Sequence, residues 1–138
     1  MTRPRQLSKV EGEAGAALDS DTVSAVVRDF AAPLLYVDPA GPSDIETVRT
    51  SLMLAMICWN LPVYELQGSP LYAQGKRTLE AVSEQVPRSV ALALQKLIAD
   101  RKAKLASMPF LVLVEVKGTT PENATIVAEA RMPSGPRS

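Results

Sequence analysis

At 138 residues, 46% hydrophobic and 22% charged, the chain has the size and balance of one globular domain and not of a disordered segment. Its 15 basic and 15 acidic residues cancel, which excludes a surface given over wholly to nucleic acid or anionic lipid. With no histidine and one cysteine, Cys58, it lacks the usual general base, any Ser-His or Cys-His nucleophile pair, an internal disulfide and a Cys/His zinc site.

Cys58 lies between Ile57 and Trp59 and reads as a core thiol of a protein from a reducing compartment. No signal-type apolar stretch follows the basic start at Arg3, Arg5 and Lys9. The apolar run from Leu52 to Tyr64 is broken at Asn60 and Pro62 and falls short of the ~20 residues a membrane span needs. The expectation is a cytoplasmic protein that makes no use of the membrane. Abundant alanine, with more Arg than Lys, points to a GC-rich bacterial genome. Asn123-Ala124-Thr125 matches a glycosylation acceptor, a chance match in that setting.

Residues 1–19 carry two glycines and few large apolar groups and read as a flexible tail; residues 20–132 read as the domain and 133–138 as a second tail. Val23, Val26, Val27 and Phe30 recur at helical spacing behind Ser20 or Asp21 as cap, and Pro33 should end or kink that helix. Leu34–Val37 fits either another helical turn or a short strand, and 38–42, with two prolines and a glycine, is a loop. Ser43 and Glu46 have the spacing of a capping box. The helix they start, 44–60, is apolar on several sides and should be the central one, closed by Asn60 and Pro62.

Ser69-Pro70 opens a third helix with Leu71, Gly75, Leu79, Val82 and Val86 on one face, ended by Pro87. A fourth occupies 88–106, with Val90, Leu94, Leu97, Ile98, Arg101 and Leu105 in register and lysines near its end to complement the helix dipole. From Phe110 the period becomes two. Phe110–Lys117 and Thr125–Arg131, separated by Gly118–Asn123, read as an antiparallel hairpin. The fold class is therefore α+β: about four helices followed by a C-terminal hairpin.

The expected core is Val27, Phe30, Val48, Leu52, Met56, Trp59, Leu79, Val82, Leu94, Leu97, Ile98, Val112 and Val114. A lone hairpin is marginal, so this one must lie on helices, gain a third strand from 34–37, or pair with another chain. The short link after Leu105 favours the preceding helix as its cover, with Glu115, Lys117, Glu129 and Arg131 pairing across the strands in water.

No phosphate loop, dinucleotide fingerprint, nucleophile elbow or zinc-protease motif occurs, and nothing calls for a cofactor. The leading expectation is a non-enzymatic interaction or regulatory module, acting as a homodimer or on another protein through an open hairpin edge. A second is a nucleic-acid accessory protein using Arg88, Lys96, Lys102 and Lys104 of a segment with net charge plus four. Arg101 shares that segment but falls on its apolar stripe, so it must snorkel or find a carboxylate. A third is a carboxylate enzyme, with Asp19/Asp21, Asp44/Glu46 and Glu80/Glu84 as candidate pairs; helix-end charge and surface solvation explain the same residues. Asn60 beside Trp59 fits a pocket lining or, more simply, a helix end next to a core anchor.

Overall fold

The computed structural model describes residues 19–132. Helices α1 (Ser20–Leu35), α2 (Ile45–Gln67), α3 (Pro70–Gln85) and α4 (Arg88–Lys104) precede strands β1 (Leu111–Lys117) and β2 (Thr125–Arg131). The strands form a two-stranded antiparallel sheet. This is the expected α+β order. Apart from Asp19, the two expected tails lie outside the described residues. Among the described residues, no helix is long and apolar enough to cross a membrane.

Several helix boundaries differ from those expected. Asp19, expected in the tail, is the cap of α1, its carboxylate accepting from the Thr22 N–H at 2.7 Å. Pro33 sits inside α1, because one missing N–H near the end costs less than leaving Leu34 and Leu35 out of the core. Residues 34–37 therefore form no strand: Leu34 and Leu35 finish the helix and Tyr36 caps it.

Helix α2 starts one residue later than expected. Asp44 and not Ser43 accepts from the Thr47 N–H at 2.8 Å, and Glu46 pairs with Arg49 at 2.6 Å. Nor does α2 stop at Asn60. It passes through Pro62 while Leu61 and Val63 stay buried, and ends at Gly68, whose φ of 66° suits a left-handed cap. Ser69 and Pro70 open α3 as expected.

The hairpin rests on α1 and α2, not on α4. Val112, Val114 and Val116 of β1 face inward, opposite Ala130, Ala128 and Ile126 of β2. Asn60 of α2 meets β1 near its start, while Arg49, earlier in α2, donates to the Gly118 carbonyl just past its end at 3.0 Å. The helix thus runs antiparallel to the strand. Ser20 and Ser24 of α1 meet Ala128 of β2.

Between these layers Trp59 is 1% exposed, with Phe30 edge-on at 5.1 Å and Phe110 tilted at 5.6 Å. Nine of the thirteen expected core residues are buried, while Met56, Val82, Ile98 and Val114 are half-buried at the margin of the same cluster. The cross-strand charge ladder does not form. Glu115 faces Val127, Lys117 faces Thr125, and Arg131 lies 3.9 Å from Glu129 on its own strand.

Candidate functional site

The buried polar side chains come first, because chemistry in a dry interior would start from them. Arg101 is fully buried yet has no carboxylate partner among the described residues. Its guanidinium lies 3.9 Å from the centroid of the Trp59 ring. It donates to three carbonyls: Nε to Trp59 at 2.7 Å, and the two terminal nitrogens to Met108 at 2.8 Å and Phe110 at 3.1 Å. Burial lowers its pKa to about 10, so it stays charged at neutral pH. The planar fork joins α2, α4 and the start of β1 through three main-chain carbonyls.

Asn60 does for β1 what a neighbouring strand would do. Its amide donates to the Val112 carbonyl at 3.0 Å and accepts from the Val112 N–H at 2.8 Å. On the other strand, Ser24 accepts from the Ala128 N–H and Ser20 donates to the Ala128 carbonyl, both at 2.9 Å. Trp59 Nε1 donates to the Phe110 carbonyl at 2.8 Å. These groups hold backbone and line no reaction centre. The edges expected to be open are thus occupied at Val112 and Ala128 by side chains of the flanking helices.

The four basic candidates do not form one face. At about 100° per residue, Arg88, Lys96, Lys102 and Lys104 spread over roughly 200° of α4. Lys96 pairs with Asp100 at 3.7 Å, Lys102 borders a cleft, and Lys104 is half-buried. Arg101, part of the segment's charge, is inside the protein. Of the carboxylates, Asp19 and Asp44 are caps, each held below the usual carboxylate range first by a backbone N–H, from Thr22 and Thr47 respectively. Glu46 is tied to Arg49.

Glu80 and Glu84 are different. Both are exposed, and together with Glu65 they border a cleft of about 560 Å³ between α2, α3 and α4. Each helix turns one stripe toward it. Helix α2 supplies Cys58, Leu61, Pro62 and Glu65; α3 supplies Tyr72, Lys76, Leu79, Glu80, Ser83 and Glu84; α4 supplies Gln95, Ile98 and Lys102. The floor is apolar and the rim charged. Cys58 is 1% exposed at that floor, and burial pushes its thiol up to about 12, which leaves it a poor nucleophile. Sequence reasoning places Glu80 and Glu84 opposite the apolar face of α3 and misses the cleft, because Glu65 lies past the proline where α2 was expected to have ended.

The outer face of the hairpin carries Leu111, Leu113 and Val127 among Glu115, Lys117, Glu129 and Arg131. Leu113 is 47% exposed. No family model, curated protein or solved structure matches this chain.

Proposed function

We propose that the protein is a non-enzymatic interaction module that works as a homodimer through the outer face of its hairpin. The observation that carries this reading is the exposure of Leu113, beside Leu111 and Val127, in the middle of a charged surround. That surround holds two acids, Glu115 and Glu129, and two bases, Lys117 and Arg131. A neutral, mixed-sign face can set its acids against the bases of a second copy, as a two-fold interface requires. A face two strands wide is small beside the ~800 Å² per partner of a standard interface, so the dimer is weak and concentration-dependent.

Sedimentation equilibrium over a wide concentration range tests it. A reversible monomer–dimer equilibrium is expected for the native chain, and Leu113→Asp should shift it to monomer without changing the melting temperature. A native chain that stays monomeric at its highest soluble concentration overturns the proposal.

A further inference from the structure

We infer that the cleft between α2, α3 and α4 binds a small amphiphilic amine, an alkyl or aryl body with a cationic ammonium head. Its volume of about 560 Å³ lies within the ~300–1,000 Å³ range of small-molecule sites. The apolar floor suits a hydrocarbon body. Helix α3 closes over it loosely, for Leu79 is the only buried residue of that helix. An element held by so few buried groups can move outward to admit a ligand.

The sign of the head follows from the rim. Glu65, Glu80 and Glu84 all border the cleft, and among the described residues none has a cation within ion-pair distance. Against them stand two lysines, and Lys76 is drawn over the Tyr72 ring at 6.0 Å. Carboxylates therefore outnumber ammonium groups, three to two, around an apolar floor. An ammonium offsets the excess of negative charge, whereas a carboxylate head would add to it.

Isothermal titration of the full chain with octylamine, octanol and octanoate tests this at fixed chain length. Octylamine should bind saturably at one site per chain, octanol more weakly, and octanoate not at all. Glu80→Gln and Glu84→Gln alter exposed side chains, so circular dichroism and melting temperature should stay unchanged while octylamine affinity falls several-fold for each. Ser83→Trp fills the cleft without changing its charge and should abolish binding of both octylamine and octanol. Leu113→Asp should leave octylamine binding intact, which separates this site from the dimer face. Octanoate binding as tightly as octylamine overturns the inference. So does the absence of saturable octylamine binding, or an affinity unchanged in Glu80→Gln/Glu84→Gln.

Discussion

Replacing Asn60 by alanine removes both hydrogen bonds that α2 gives to Val112, a residue with 0% exposure. The cavity left is small, but a buried N–H and a buried C=O lose their partners together. At about 1–3 kcal/mol for each unmet group, the cost is about 2–6 kcal/mol, a large part of the ~5–15 kcal/mol that holds a domain of this size. Urea unfolding followed by Trp59, the only tryptophan, reads it directly. Asn60→Asp supplies the sharper control. Its carboxylate can accept from the Val112 N–H but has nothing to donate to the Val112 carbonyl, and burial should raise its pKa in the folded state. The folded protein then holds a proton that the unfolded chain has released, so the deficit relative to the native chain shrinks as pH falls from 7 toward about 4. Asn60→Ala should show no such recovery. A loss below about 0.5 kcal/mol for Asn60→Ala, the size of an ordinary surface change, would refute the bridge.

Arg101→Lys keeps the charge but not the fork, and a single ammonium can neither reach three carbonyls nor stack flat on Trp59; a loss of about 2–4 kcal/mol is expected in thermal or urea melts, and native-like stability would show that the fork does not hold α4 to the strand entry. Cys58, its thiol pushed to about 12, should resist an aromatic disulfide reagent at pH 8 until denaturant is added; prompt labelling of the native protein would contradict its burial. Asp19 and Asp44 have folded pKa values below the ordinary 3.8, so their contribution is fully present above it and is lost as pH falls through the lower folded values; Asp44→Ala should lower the melting temperature at pH 7 and bring it closer to that of the native chain at pH 2. Val112→Asp should unfold the domain, while Lys117→Glu, exposed opposite Thr125, should leave the melting temperature unchanged.

The element types and their order are legible because each rests on a local signal: helical spacing, the Ser69-Pro70 start, and the change to period two after Phe110. Most core positions follow from the same periods. The errors fall where tertiary contacts decide. Asn60 looks like a helix end by composition, yet its amide is engaged by a strand 52 residues away, and the helix goes on to a true glycine cap. Arg101 is conspicuous on an apolar stripe, but its partners are main-chain carbonyls, which carry no residue signature. The helices that cover the hairpin escape for a related reason. A short link allows α4 to pack on β1 without requiring it, and the Ser20/Ser24 pair that fixes α1 there is an i, i+4 pattern of small polar residues common on any helix.

The same contacts decide how a second copy can approach. An exposed strand edge recruits a partner through its outward N–H and C=O groups, and the flanking helix must leave those groups room. In β2 the central residue, Ala128, has both groups engaged by α1, and in β1 the Val112 pair is engaged by α2. An incoming strand would have to displace the serines on one side or the asparagine on the other, exchanging a made pair of hydrogen bonds for an equivalent one and losing helix packing besides. The outer face asks for no such exchange. Leu113 already stands in water there, and covering it stabilises by the apolar area removed, at roughly 25 cal/mol per Å². Edge pairing and face pairing therefore separate under mutation. Ser24→Ala, which frees the Ala128 N–H, should destabilise the monomer and leave the affinity of a face dimer alone, whereas an edge dimer would tighten. Leu113→Asp should do the reverse, breaking a face dimer while the fold stays intact.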